Sequence, residues 1–126
     1  MQNTGKSIFG LFGLLSGATI ENLAVTDCDI YVYNVTGVIA GRMDDNSLIQ
    51  NCWTSGRVRA NGSTAGGISG TCDTGSAIKN CYSLCDVSSE ASNAVGAAGG
   101  IAASIKDGKV ESSVFLSDFS FIFNVR

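Results

Sequence analysis

The chain of 126 residues is long enough for one domain with a single core, and only 15% of its residues are charged. Its net charge of −3 and its pI near 4.6 exclude the clustered basic surface that nucleic-acid-binding proteins usually carry. The longest apolar run, from Ile8 to Leu15, is far shorter than the roughly 20 residues that span a bilayer. We therefore predict neither a nucleic-acid partner nor insertion into a membrane.

The spacing of the apolar residues predicts strands. They occur in bursts of one to four, without the 3.6-residue stripes of an amphipathic helix. Sixteen glycines add frequent turns to this pattern, and the absence of proline suits short strands. We expect an all-β protein with almost no helix.

A repeat of about 29 residues organises the chain. One copy contains Val38–Gly41 and Leu48–Trp53, and the next contains Gly67–Gly70 and Ala77–Tyr82. Equivalent apolar residues follow at intervals of 29, 29 and 32 residues: Ile20, Ile49, Ile78 and Val110. Such periods are typical of solenoids, in which each unit buries its apolar face only against stacked neighbours.

The repeat predicts a single domain over residues 1–126, folded as a right-handed parallel β-helix of about four three-stranded coils. The coils comprise approximately residues 9–35, 36–63, 64–97 and 98–126. In the second coil we expect strands at 37–41, 48–54 and 57–60, with turns at 44–46 and 61–63. The domain is expected to be a module of a larger protein.

Aligning the copies predicts columns of equivalent side chains along the stack. Three columns are apolar: Leu11, Ile39, Ile68 and Ile101; Ile20, Ile49, Ile78 and Val110; and Ile30, Val58, Val87 and Phe119. A polar ladder at a corner contains Asn22, Asn51 and Asn80, whose amides could bond one another and the turn backbone. Glycines recur where the chain needs a positive φ or where the next coil comes close: Gly13, Gly41 and Gly70.

The two ends of the sequence each allow two interpretations. Met1, Lys6 and the apolar run before Ala18 also fit a short secretory signal peptide over residues 1–18. We favour a first coil, because residues 10–13 and 20–22 align with the second copy. At the other end, Phe119, Phe121 and Phe123 alternate with other residues in a strand pattern. That strand either caps the last coil or begins a fifth.

The central copies resemble the GLUG repeat. The resemblance rests on Gly66–Gly70, Ala77–Tyr82 and Val87 in one copy, and on Gly41, Ile49–Trp53 and Gly56–Val58 in the other. It extends over residues 9–119. The first copy departs with Leu23-Ala24 in place of Cys and an aromatic residue, and the fourth departs with Ser112-Ser113-Val114.

GLUG repeats are known from bacterial surface and secreted proteins, including IgA-specific metallopeptidases and filamentous adhesins. The resemblance implies a right-handed β-solenoid in an exported bacterial protein, usually as a non-catalytic module. Its motifs are structural, so it implies no catalytic residues.

Five cysteines raise the possibility of metal binding or disulfides: Cys28, Cys52, Cys72, Cys81 and Cys85. The chain has no His and no Cys-x-x-Cys pair, so a zinc site lacks its usual ligands. Cys52 and Cys81 align with Leu23, which predicts small inward-facing residues. A disulfide from Cys81 to Cys85 or to Cys72 is the alternative, and an odd total leaves at least one thiol free.

Acidic residues recur in the first turn of successive coils: Asp44, Asp45, Asp73 and Asp107. Carboxylates repeated along an edge are compatible with a calcium site. The chain lacks the glycine-rich nonapeptide of calcium-binding β-rolls, so we favour Asx turns beside Gly75 and Gly108.

No catalytic group emerges from the sequence. The acids mostly lie in turns, Arg57 and Arg59 stand alone, and a Ser or Cys nucleophile lacks a His base. We predict no catalytic, cofactor-binding or metal-binding residues and no cofactor. Trp53 and Tyr82 occupy matching positions, where they either stack on sugars or pack across coils, and we favour packing.

These observations together predict a non-enzymatic structural or adhesive repeat module of an exported bacterial protein, secreted or at the cell surface. Its expected partners are host glycans or proteins and neighbouring repeats of a parent chain. The alternative is a carbohydrate-binding module or an accessory domain of a carbohydrate-active or peptidase enzyme.

Overall fold

The computed structural model describes residues 8–90 and 98–116. In these two ranges the chain forms sixteen strands and no helix, which confirms the all-β prediction. This part of the chain accordingly contains no helix with the length and apolar character needed to traverse a membrane.

Each coil contains four strands. The first consists of β1 (Ile8–Phe9), β2 (Phe12–Ser16), β3 (Thr19–Glu21) and β4 (Ala24–Val32). The second consists of β5 (Val35–Gly37), β6 (Ala40–Asp44), β7 (Leu48–Gln50) and β8 (Trp53–Asn61). The third consists of β9 (Ala65–Gly66), β10 (Ser69–Asp73), β11 (Ala77–Lys79) and β12 (Tyr82–Glu90). The fourth consists of β13 (Ala98–Gly99), β14 (Ala102–Lys106), β15 (Lys109–Glu111) and β16 (Val114–Phe115).

The coils stack into four parallel sheets, each with one strand from every coil. The strand orders are β1-β5-β9-β13, β2-β6-β10-β14, β3-β7-β11-β15 and β4-β8-β12-β16, and we number the sheets first to fourth in that order. Three turns of the chain therefore separate β1 from β13. This arrangement is the predicted parallel β-solenoid.

The number of strands in a coil differs from the three expected. The predicted strand at 48–54 is divided at Asn51, whose left-handed φ of 54° turns the chain from β7 into β8. The predicted strand at 37–41 is divided at Val38 and Ile39, which lie between β5 and β6. The residues at both corners also fit the pattern of a continuous strand, so the sequence does not reveal the corners.

The inner columns of the repeat form the core. Ile20, Ile49, Ile78 and Val110 are in register on neighbouring strands, as predicted, and the two central isoleucines have no exposed surface. Ile30, Val58 and Val87 are likewise in register in the fourth sheet. Phe119, the expected fourth member of that column, lies outside the described residues.

One predicted core residue is wrong. Ile39 and Ile68 are fully buried, but Leu11 at the corresponding place in the first coil is 57% exposed. A central residue of a solenoid is covered from above and below by its equivalents. In the described part of the chain Leu11 has such an equivalent on one side only.

The recurring glycines serve close approach between coils. A Cβ at Gly41 would lie 2.8 Å from the carbonyl oxygen of Phe9, and one at Gly70 would lie 2.6 Å from the carbonyl oxygen of Gly41. Neither residue has a positive φ. Of the two expected reasons for glycine, the close approach of the next coil therefore applies to both. Gly13 is less crowded, with the Ile8 oxygen at 3.2 Å.

Candidate functional site

The outer face of the fourth sheet is the broadest regular surface of the protein. Its central strands, β8 and β12, are nine residues long, whereas those of the third sheet have three. Alternation along β8 buries Thr54, Val58 and Ala60 and leaves the side chains between them facing outward. Outward residues of successive coils therefore form ladders across this face.

An aromatic ladder crosses one end of the face. Trp53 and Tyr82 are in register, and their rings stack with 5.3 Å between centroids and 10° between planes. Ala24 and Val114 occupy the adjoining positions in the first and fourth coils. Stacking covers one face of each ring, and this geometry favours the packing interpretation over a sugar platform.

A charge ladder runs across the middle of the face. Arg57 is in register with Asp29 of the first coil and with Asp86 of the third. Opposite charges at neighbouring positions of a sheet stabilise the pairing of its strands. The three residues contribute to an open depression of about 390 Å³ that also includes Asp27 and Gly56.

Arg59 continues this ladder toward the far end. Its guanidinium carbon lies 4.9 Å from the centroid of the Tyr31 ring, in a cation–π arrangement, and its Nη2 lies 3.8 Å from Asp29 Oδ1. The amide of Asn61 donates a hydrogen bond of 3.2 Å to the Tyr31 hydroxyl. Arg59 is thus engaged by the first coil on this face.

The expectation that Arg57 and Arg59 stand alone is wrong for Arg59, which contacts Asp29 and Tyr31, whereas Arg57 has acids in register on the two neighbouring strands. It considered neighbours in sequence, and the relevant acids lie one coil away, at Asp29 and Asp86. The repeat interval itself was the signal: Asp29 precedes Arg57 by 28 residues, and Asp86 follows it by 29. Aligning the sequence with itself after a shift of one repeat places Arg57 beside both aspartates.

Four of the five cysteines are buried in the core, and Cys28 is half-buried. Cys52 and Cys81 are 1% and 2% exposed, which confirms the prediction that they face inward. Their thiols donate hydrogen bonds of 3.2 Å to the carbonyl oxygens of Gln50 and Lys79. All five cysteines are free, so neither disulfide from Cys81 forms in this structure.

Burial raises the pKa of three of the thiols. It raises the pKa of Cys81 to about 11 from an ordinary 9.0. The pKa of Cys28 is also raised to about 11, first by burial and then by the nearby Cys85 thiol. Burial raises the pKa of Cys72 as well. A neutral thiol is a poor nucleophile and a poor metal ligand.

The acidic turns are engaged by neighbouring side chains. Arg42 Nε lies 2.8 Å from Asp44 Oδ2 and 3.9 Å from Asp73 Oδ2. The Ser16 hydroxyl donates a hydrogen bond of 2.6 Å to Asp45 Oδ2. Asp45 and Asp107 have left-handed φ values of 56° and 58°, in agreement with their expected place in turns. In residues 8–90 and 98–116, no three or more potential metal ligands come together.

Comparison with known proteins finds no family model, no curated protein and no solved structure that matches this chain. The resemblance to the GLUG repeat therefore stays a prediction. The proposals that follow rest on the fold and on the chemistry of its surfaces.

Proposed function

We propose that the chain is a non-enzymatic structural or adhesive module of an exported bacterial surface protein. The observation that carries this proposal is the outer face of the fourth sheet, where aromatic and charged side chains engage neighbouring coils. Trp53 stacks on Tyr82, Arg57 lies between Asp29 and Asp86, and Arg59 covers Tyr31. These ladders strengthen the stack in the way expected of a scaffold.

The ladders also argue against catalysis at this face. Most glycoside hydrolases place two carboxyl groups around a space for the scissile bond and water. Here Asp29 and Asp86 are two strand spacings apart, about 10 Å at the usual 4.8 Å per strand, and Arg57 lies between them. The strand between the two acids carries Arg57 at this position, so the two carboxylates do not lie on adjacent strands.

A screen for hydrolysis tests the non-enzymatic part of the proposal. The wild-type protein would be incubated with polysaccharides and with peptides, beside Asp29→Asn and Asp86→Asn. We expect no turnover by any of the three proteins. Turnover by the wild type that disappears in either variant would contradict the proposal and place a catalytic carboxylate on this face.

The bacterial and extracellular setting rests on the resemblance to GLUG repeats. Cell fractionation of the native source, with an antibody against the folded domain, tests it. Detection at the surface or in the medium supports the proposed location, whereas exclusive recovery from the cytoplasm contradicts it. This outcome is independent of whether the module binds a ligand.

Carbohydrate binding is the second candidate, and the exposure of Tyr82 favours it. Its side chain is 43% exposed although one ring face is stacked on Trp53. A glycan array would compare the wild type, Trp53→Ala and Tyr33→Ala. Tyr33 is the control because it is a more exposed aromatic residue that follows β4, away from the stack. Binding lost only in Trp53→Ala establishes glycan recognition at the stack. Absence of binding by all three leaves the scaffold function.

A further inference from the structure

Exposed large apolar side chains are concentrated at the ends of the solenoid. In the described residues the first coil exposes Leu11, Phe12, Leu14, Tyr31 and Tyr33, and the fourth exposes Ile105, Val114, Phe115 and Leu116. The second coil exposes none, and the third exposes only Tyr82, which is stacked on Trp53. The apolar surface is therefore a property of the terminal coils and not of the protein as a whole.

The terminal coils also carry all the sheet edges of the described structure. Each sheet ends in a strand of the first coil on one side and in a strand of the fourth coil on the other. Edge strands present backbone N–H and C=O groups that can pair with another strand. We call the outer edge of β1 to β4 the first end face, and that of β13 to β16 the second end face.

The first end face contains an apolar depression of about 350 Å³. Inward-facing side chains of the first coil line most of it: Phe9, Leu11, Val25, Cys28, Ile30 and Val32. In the second coil the equivalents of Leu11 and Ile30 are Ile39 and Val58, which are fully buried. The depression is thus the cross-section of the core, open along the solenoid axis.

The second end face shows the same feature. Ile105 is in register with Cys72, which is in register with Met43, and both of these inner residues have no exposed surface. Ile105 is 49% exposed because its column ends there in the described chain. Both faces therefore expose residues whose equivalents form the core.

The repeat makes the two end faces complementary. A second copy stacked with its first coil on the fourth coil continues the internal columns, with Ile20 opposite Val110 and Leu11 opposite Ile101. Inside the protein the same step brings Ile20 opposite Ile49. The two edges are parallel, so their backbone groups can continue the ladders at the usual spacing of about 4.8 Å.

Charge disfavours joining two first end faces. The described residues of the first coil carry only acidic charges, Glu21, Asp27 and Asp29, whereas those of the fourth coil balance Lys106 and Lys109 against Asp107 and Glu111. A contact between two first end faces would bring only acidic residues together. In the head-to-tail arrangement Glu21 approaches Glu111, but Lys109 Nζ lies 3.2 Å from Glu111 and partly neutralises it.

We propose that the chain associates head to tail with further copies of itself, the second end face of one copy binding the first end face of the next. The contact is heterologous, so each copy added leaves a new face open. A linear filament results, in which the solenoid continues across every junction. The proposal concerns assembly and goes beyond the scaffold function.

Two substitutions test this interface. Leu11→Lys places a charge on the first end face, and Ile105→Lys places one on the second, both at exposed positions that should leave the fold intact by circular dichroism. Leu14→Lys is the matched control. Leu14 is 54% exposed and in register with Arg42, whose side chain faces outward on the wall of the second sheet.

Sedimentation equilibrium would measure the mass of each protein as a function of concentration. We expect the wild type and Leu14→Lys to grow beyond a dimer, and each end-face variant alone to bind at least about tenfold more weakly, a loss of about 1.4 kcal/mol. An equimolar mixture of Leu11→Lys and Ile105→Lys should form a dimer and stop there. In that mixture only one intact pair of unlike faces is present.

Three results would overturn the proposal. A wild type that stays monomeric up to its solubility limit shows that other residues of the chain or another partner cover the faces. Dimerisation of one end-face variant alone with the affinity of the wild type shows that like faces join. If Leu14→Lys loses as much association as the end-face variants, the contact lies on the outer face of the second sheet instead.

Discussion

Asn51 and Asn80 lie at the same corner of successive coils, and both have a left-handed backbone, with φ of 54° and 52°. Asn22 shares this conformation, and their backbone N–H groups donate hydrogen bonds of 3.1 to 3.2 Å to carbonyl oxygens of the next coil. Asparagine adopts this conformation more readily than other residues with a Cβ. The corner therefore depends on backbone shape as well as on the predicted polarity of the ladder.

Replacing Asn51 by alanine should lower the free energy of unfolding by about 1 kcal/mol, because alanine is less tolerant of the left-handed region. Asn51→Gly should change it by a few tenths of a kcal/mol at most, since glycine adopts positive φ freely. Urea denaturation of both variants measures the difference. Equal losses in the two variants would show that the amide side chain, not the backbone, stabilises the corner.

Gly41→Ala should destabilise the protein severely, by about 3 kcal/mol or more, because the added Cβ meets the backbone of Phe9 at 2.8 to 2.9 Å. Gly13→Ala is the matched control at the same place in the first coil, where the closest atom lies at 3.2 Å. It should cost about 1 kcal/mol or less. Thermal unfolding followed by circular dichroism compares them, and a reversed order would contradict the close-approach explanation.

Ile49→Ala should cost about 2 to 5 kcal/mol, because Ile49 is completely buried between Ile20 and Ile78 and its truncation leaves a cavity. Leu11→Ala should cost no more than about 0.5 kcal/mol, the range typical of exposed positions. Chemical denaturation under conditions where the protein is monomeric gives both values. A large loss for Leu11→Ala would mean that this residue belongs to the core after all.

Stability should fall at alkaline pH because of the buried thiols. Well below pH 9 the Cys81 thiol is neutral in both folded and unfolded chains, and it adds no pH dependence. From pH 9 to about 11 the unfolded chain releases this proton while the folded chain retains it, so unfolding becomes easier as pH rises. Cys28 acts in the same direction over the same range.

The variant Cys81→Ala isolates this effect. It should be less stable than the wild type below pH 9 because it loses buried volume, but its stability should fall less steeply above pH 9. Urea midpoints measured across that range give the two slopes. Parallel slopes would show that the Cys81 thiol ionises as easily in the folded protein as in the unfolded one.

Much of the solenoid is already visible in the repeat. Ile20, Ile49 and Ile78 fall at a constant interval, and their in-register stacking follows directly from it. The corners are less visible. Asn51 divides one predicted strand into β7 and β8, because a single left-handed residue turns the chain without the cluster of glycine and polar residues that marks an ordinary loop.

The candidate site is less visible than the core. Trp53 and Tyr82 were paired by their equivalent positions, but the ring geometry that favours packing emerges only from the coordinates. The acids in register with Arg57 were missed because Asp29 and Asp86 are distant along the chain. A repeat alignment that compares charge as well as hydrophobicity would have found them.

The sequence by itself determined the coil length, the inward columns and the placement of Cys52 and Cys81 in the core. Each of these follows from the repeat period of the sequence and from the low solubility of apolar side chains in water. Only the tertiary structure decided which residues at equivalent positions of the repeat are buried by neighbouring coils. Leu11 and Ile39 have the same place in the repeat, but only Ile39 has coils on both sides in the described structure. Burial depends on neighbours in space, and the ends of a stack have fewer of them.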